Sequence, residues 1–303
     1  MRRPDFIIIG AMKCATSTLH DQLGMQRGIF MSEPKEPCFF SDDEIYARGV
    51  EWYEGLFEDA GAGDLCGESS THYTKRPRLG KTVERMVEYF GDDDDDDVKF
   101  IYVIRHPIDR LVSHYIHEWT ENTITVGIEE AVKSYADLVD FSLYGMQLEG
   151  FIEAFGRERI LVVPFDGIRA RPGAELKRVC RFIGYEGEVR WHEEEGAQNV
   201  SSKRLRKSGL RDAIVFNPVV SAVRRAVIPQ SVRDKVKSMW QMKERPELCE
   251  DTVKRLEARF DEDLEVLSRW LGRRICCENF REVMLGEALE WVGAGESKTR
   301  ASA

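Results

Sequence analysis

The chain has 303 residues, 42% of them apolar and 32% charged, with a formal net charge of −10. That is enough apolar sequence for a sizeable core in one α/β domain with insertions. The acidic balance argues against a general nucleic-acid binder, which carries a basic excess. No apolar stretch approaches the roughly eighteen residues of a membrane span.

In chain order, Phe6-Ile7-Ile8-Ile9-Gly10 is a continuous apolar run ending in glycine, the pattern of a strand buried on both faces. It is too short for the core of a secretory leader, so none is expected. A helical pattern follows from Thr16 to Leu23. Leu65 to Ser70 is a weaker strand pattern, and Leu79 to Phe90 reads as helix. The acidic run from Asp92 to Asp97 lacks the glycine and distant glutamate of a calcium loop and reads as a solvated turn. Lys99 to Arg105 is a strong strand, closed by His106-Pro107. Helical patterns cover Pro107 to Trp119 and Leu143 to Phe155. A further strand is expected from Ile160 to Phe165, then helices at Gly173 to Ile183 and Asp251 to Leu271. Residues 196–248 mix polar and basic side chains.

Strands alternating with helices predict a single α/β domain, a central parallel sheet flanked by helices, over residues 1–286. Residues 287–303 are expected to be a frayed tail. Such sheets bind ligands beyond the carboxyl ends of their strands. Functional residues are therefore expected just after Gly10, Ser70, Arg105 and Phe165. Seven cysteines, odd in number and without paired spacing, predict a reducing cytoplasm, no disulfide framework and no structural metal.

Two motifs carry chemistry. In Gly10-Ala11-Met12-Lys13-Cys14-Ala15-Thr16-Ser17-Thr18-Leu19 a buried strand turns through small residues into a helix that starts with hydroxyls. Backbone N–H groups and the helix dipole favour an anion there, and Lys13 adds a full charge. The bland alternative is a plain turn with capping hydroxyls. A nucleotide-kinase loop would place its lysine directly before the hydroxyl residue, after a second glycine. Here Lys13 stands three residues before Thr16.

In the second motif, Arg105 to Tyr115, Arg105 ends a strand and Pro107 suits the first helical turn. Ser113 follows about two turns on. Guanidinium and hydroxyl can close on one phosphate; otherwise they are a sheet-edge arginine and a packing serine. Together the motifs predict two anion sites at one sheet edge, as a nucleotide with phosphates at both ends requires.

These residues resemble the sulfotransferases that use 3′-phosphoadenosine 5′-phosphosulfate (PAPS), closest to the heparan-sulfate-type and bacterial branch. Lys13 to Leu19 resembles their 5′-phosphosulfate loop and Arg105 to Ser113 their 3′-phosphate motif. Lys35-Glu36-Pro37-Cys38-Phe39-Phe40, Trp52-Tyr53, Gly67-Glu68-Ser69-Ser70 and Tyr144 to Phe165 also match that branch. The likeness covers about residues 5–210. It implies a P-loop-like sulfotransferase fold, PAPS as donor, adenosine 3′,5′-bisphosphate as product, and no metal requirement. Lys13 would bind the 5′-phosphosulfate and stabilise the leaving oxygen. Cys14, Ala15, Thr16, Ser17 and Thr18 would line the loop, and Arg105 and Ser113 would hold the 3′-phosphate. Lys203 and Arg204 would close over the cofactor. Glu36 matches the general base.

Departures follow from the same comparison. Ala15 replaces a glycine, and Ser69 replaces a lysine that follows the glutamate. His72 competes with Glu36 as base, because the small-molecule branch uses a histidine after a Lys-Thr pair. His106, His114 and His117 are expected near the phosphate helix. The acceptor is expected to be a small metabolite, lipid or glycan hydroxyl or amine, in secondary metabolism. Phe39, Phe40, Trp52, Tyr53, Tyr73 and Trp119 are candidates to line its pocket, although aromatics more often form core. No nucleic-acid partner is expected; the oligomeric state stays open, with a homodimer as one possibility. The alternatives are a kinase using ATP and magnesium, and a non-catalytic nucleotide-binding module.

Overall fold

The computed structural model describes residues 2–91, 97–193 and 244–292. Its sheet has five parallel strands in the order β2-β3-β1-β4-β5. They are β1 (Phe6–Gly10), β2 (Ile29–Met31), β3 (Leu65–Ser69), β4 (Lys99–Ile104) and β5 (Ile160–Pro164). The first helices are α1 (Thr16–Gly24), α2 (Asp43–Tyr46), α3 (Val50–Gly55), α4 (Thr82–Phe90), α5 (Pro107–Thr120) and α6 (Ile128–Ser134). There follow α7 (Asp137–Asp140), α8 (Tyr144–Phe155), α9 (Phe165–Ala170), α10 (Pro172–Phe182), α11 (Glu250–Leu271) and α12 (Phe280–Leu285).

All five residues of β1 are buried, as are five of the six in β4. Neither strand alternates, because a parallel sheet is covered on both faces. β1 pairs with β3 on one side, Phe6 opposite Gly67, and with β4 on the other, Phe6 opposite Lys99. Gly67 is required by this pairing: a Cβ there would lie 2.2 Å from the Phe6 ring. The chain runs outward from β1 to β2, returns to β3, then crosses to β4. The switch in strand order therefore falls at β1 and β4, where open sheets present a crevice.

An aromatic cluster packs one side of the sheet. Phe39 stacks on Tyr53 at 4.6 Å, and Phe40 meets Tyr53 and Tyr73 edge-on at 5.1 and 5.6 Å. All four rings are buried. These residues, weighed as a pocket lining, are core. Against α8 and α5, α11 buries Leu256, Phe260, Leu264, Leu267 and Leu271 on one helical face. Its Asp263 accepts from the backbone N–H groups of Gly145 and Met146 at 2.7 and 2.8 Å, capping α8.

Two expectations change. β2 lacks any sequence signal: it is three residues long and sits at the sheet edge, where pairing with β3 decides it. The packed body also runs past residue 286. Leu289 is buried, and the Trp291 indole donates to the Ile160 carbonyl at 2.6 Å. Glu287 to Val292 are thus docked rather than frayed; residues 293–303 lie outside the described residues. Among the described residues no helix is long and apolar enough to cross a membrane.

Candidate active site

The two phosphate motifs meet at the switch point. Ala11 donates its N–H to the Val103 carbonyl at 2.9 Å, tying the start of the first loop to β4. Lys13 and Ala15 both take left-handed backbone, with φ of 72° and 67°. Ala15 is the residue before α1, and no side chain caps that helix. It thus keeps the left-handed turn despite the missing glycine, at a cost of about 1 kcal/mol. The first turn of α1 holds no acidic residue, so its N–H groups suit an anion. Thr16 is buried, and Ser17 and Thr18 are half-buried. Cys14 shapes the loop from below. Its N–H closes on the Ala11 carbonyl at 3.2 Å, and burial pushes its thiol up to about 11.

Arg105 reaches across from β4 and donates to the Lys13 carbonyl at 3.3 Å. Its guanidinium lies over the Phe165 ring, 4.5 Å from the centroid. Tyr144 fixes its backbone: the hydroxyl donates to the Arg105 carbonyl and accepts from its N–H. The Asp263 cap therefore bears on Arg105 through α8. The Arg105 Nε is buried without a partner. Ser113 is buried on α5.

Beneath lies Arg110, fully buried. It donates to Ser142 Oγ and to the Leu138 carbonyl at 2.5 and 2.7 Å, with His114 Nδ1 at 3.5 Å. Among the described residues it has no carboxylate partner. A buried cation without a counter-charge is costly, and a bound phosphate supplies one. These residues fit an anionic nucleotide: an orphaned guanidinium nitrogen, an uncompensated buried arginine and an uncapped helix start converge on one place. Lys203 and Arg204 lie outside the described residues.

A second group gathers beyond β3. Glu68 is fully buried and accepts from Tyr53 and Tyr73 hydroxyls at 3.0 and 2.7 Å and from Ser70 at 2.8 Å. Burial raises its carboxyl to about 7, against the pull of these hydrogen bonds. Ser70 Oγ in turn accepts from the Cys38 N–H at 3.0 Å, and Glu36 N–H donates to the Ser69 carbonyl at 2.9 Å. The loop carrying Glu36 is therefore clamped to the end of β3, with Glu36 and Cys38 at φ of 60° and 55°.

The carboxylate of Glu36 pairs with Lys35 at 2.9 Å and accepts from Thr71 at 3.0 Å. Burial alone would raise Glu36, but Lys35, Thr71 and His72 together hold it below its usual 4.5. His72 is pushed below its usual 6.5 by burial and then by the Lys75 ammonium. The two candidate bases are neighbours: Glu36, Cys38 and His72 each place a ligand-type atom within 4.8 Å of the others. That spacing suits a metal ion, but burial and the nearby Glu36 and Glu68 carboxylates push the Cys38 thiol up to about 12, which opposes the thiolate a metal needs. Ser69, in place of a lysine, bonds His20 Nδ1 at 2.8 Å instead.

His72 also lines a cavity of about 360 Å³ with Lys75, Arg78, Tyr135 and Phe141. His114 lines it too, stacked 5.6 Å from Phe141, so it belongs to this cavity as well as to the phosphate helix. Sequence reasoning missed Tyr144, Arg110 and Lys75 as site residues. Arg110 follows Arg105 within the same motif, but nothing local marks it as buried.

A family model described as the sulfotransferase domain matches residues 3–208. Among curated proteins, the chain is 27% identical over 190 residues to mouse heparan sulfate glucosamine 3-O-sulfotransferase 3B1, covering 60% of this chain and 46% of that one. Human heparan sulfate glucosamine 3-O-sulfotransferase 5 is 24% identical over 198 residues, covering 59% and 53%. The chain thus spans about half the length of these relatives. The crystal structure of a sulfotransferase from Alicyclobacillus acidocaldarius superposes with a TM-score of 0.63 at 21% identity, over 91% of this chain and 98% of that one, and shares the fold. On the family match, and with both phosphate motifs brought together at the switch point, the chain belongs to the sulfotransferase domain family.

Proposed function

We propose that this protein transfers a sulfuryl group from PAPS to a hydroxyl or amine of a small acceptor, leaving adenosine 3′,5′-bisphosphate. The observation that carries the reading is the meeting of Lys13 and Arg105 over a buried, uncompensated Arg110. PAPS supplies the activated sulfuryl group. Arg105 and Ser113 bind the 3′-phosphate, and Lys13 with the start of α1 neutralises the 5′ side and the leaving oxygen, as charge stabilisation in group transfer requires. Lys203 and Arg204, outside the described residues, complete our proposed set of cations for the nucleotide.

The acceptor proton passes to the Glu36–His72 pair. Glu36 is our choice as base because the β3 clamp fixes its backbone; His72, held neutral at pH 7, is the competing one. A kinase reading is disfavoured because β4 ends in Arg105 where a magnesium-binding aspartate would be needed. The relatives' names concern heparan sulfate glucosamine, and a glycan acceptor is the second reading they support. The cavity size and net charge favour a small molecule. Seven free cysteines support a cytoplasmic location.

The test is transfer of label from ³⁵S-PAPS without magnesium, using the full chain and a panel of phenols, alcohols and amines. Magnesium-independent labelling of an acceptor supports the reading. Labelling from γ-³²P-ATP instead refutes it.

A further inference from the structure

The cavity beside His72 holds several charged side chains, and most of them are bonded to a neighbour. Arg78 pairs with Asp137 at 2.6 Å. His114, which burial lowers to about 4, meets Glu118 at 3.4 Å as a neutral ring, so Glu118 keeps its charge. Asp42 accepts from the backbone N–H groups of Glu44 and Ile45 at 2.9 and 3.0 Å. Lys75 remains. It lines the same cavity, is half-buried, and among the described residues forms no ion pair. Its ammonium lies 5.8 Å from the centre of the Phe141 ring. Glu36 and Glu118 are near enough to act on it through space, yet neither bonds it. A partly desolvated ammonium with no bonded counter-ion favours an anion that can reach it directly.

The rest of the lining narrows the class. Leu79, Ile124, Tyr135, Leu138 and Phe141 give an apolar, partly aromatic wall. At about 360 Å³ the space is at the small end for ligand sites. We propose that Lys75 is a specificity residue, and that the acceptor is a small, partly apolar hydroxyl compound bearing a carboxylate that Lys75 binds. Bound this way, the acceptor has its anion at Lys75 and its hydroxyl toward the Glu36–His72 pair. Lys75 acts on binding, not on the sulfuryl group. This inference rests on the transferase reading, because it takes the cavity as the acceptor site.

The test is calorimetry on the full chain saturated with adenosine 3′,5′-bisphosphate, using 4-hydroxybenzoate, 4-hydroxybenzamide and 4-hydroxybenzylamine as probes. The carboxylate is expected to bind about tenfold tighter than the amide, the size of one charge-assisted hydrogen bond, with the amine weakest. Lys75→Met should erase the gap, and Lys75→Glu should turn the preference toward the amine. Equal affinities in the unaltered protein, a gap that survives in Lys75→Met, or no carboxylate binding to a bisphosphate-loaded sample would each overturn the proposal. The two readings fail separately: loss of bisphosphate binding itself counts against the transferase reading, whereas normal bisphosphate binding without carboxylate preference counts against Lys75 alone.

Discussion

The two ends of this site are built differently. The nucleotide end is made by contiguous sequence: one strand–turn–helix supplies Lys13 to Thr18, one strand–helix supplies Arg105 to Ser113, and neighbouring strands β1 and β4 place them side by side. Its working parts are backbone conformation and cations on rigid elements. The acceptor end is assembled from separate segments, with Glu36 from one loop, His72 and Lys75 from a second, His114 from α5 and Phe141 from the turn after α7. Its working parts are side chains on two loops that the buried Glu68 carboxylate ties together through Ser70 and Tyr73. Both ends use left-handed non-glycine residues, so both carry backbone strain where ligand would sit. A family can keep the first arrangement as a motif while changing the second freely.

The largest expected effects test the nucleotide end. Lys13→Ala should lower transfer by about a thousandfold, the usual scale for removing a group that stabilises developing charge. Arg105→Ala should do the same and also weaken bisphosphate binding by tenfold or more, on the scale of charge-assisted hydrogen bonds, about 1.5–3 kcal/mol. Near-normal turnover by either variant would break the assignment of that end.

The acceptor end is sharpened by comparing Glu36→Gln with His72→Ala. Only the true base should lose about a hundredfold or more in rate while keeping bisphosphate affinity. The pH profile separates them as well. A base must be unprotonated, and both groups lie below their usual values of 6.5 for His72 and 4.5 for Glu36. An acid limb between pH 6.5 and 4.5 identifies His72; a rate held until below pH 4.5 identifies Glu36.

A smaller effect concerns the join between the ends, where His20 meets Ser69. Burial, then Lys35, lowers His20 from 6.5 to about 4. As pH falls from 6.5 toward 4, the unfolded chain takes up a proton that the folded chain refuses, so stability is lost in that window. Between pH 7 and 5 this amounts to about 2 kcal/mol. His20→Gln should remove that part of the loss in urea unfolding at the two pH values; an unchanged slope would contradict it. Smallest is Ala15→Gly, which should relieve the left-handed turn and raise stability by about 0.5–1 kcal/mol without lowering bisphosphate affinity.

Legibility in the sequence follows the same division. The apolar run before Gly10 and the strand before Arg105 announced a parallel sheet and its carboxyl edge, so Lys13, Thr16, Arg105 and Ser113 could be named together. Ala15 was read as a departure; only its φ shows that the turn survives. Glu36 and His72 appeared as rivals thirty-odd residues apart, and nothing in spacing placed their side chains within 4.8 Å of each other. Lys75 carried no signal, because its meaning depends on Asp137, Glu118 and Asp42 being bonded to other groups. The burial of Phe39, Phe40, Tyr53 and Tyr73 is likewise a fact of packing, which composition cannot separate from a pocket wall.

The most direct test of the central claim is calorimetric binding of adenosine 3′,5′-bisphosphate to the full chain without magnesium, with AMP and ATP as controls. Two anion sites at the β1–β4 edge predict tight binding that prefers the bisphosphate and drops with Arg105→Ala. Preference for ATP, or equal affinity for AMP, would contradict the site as described.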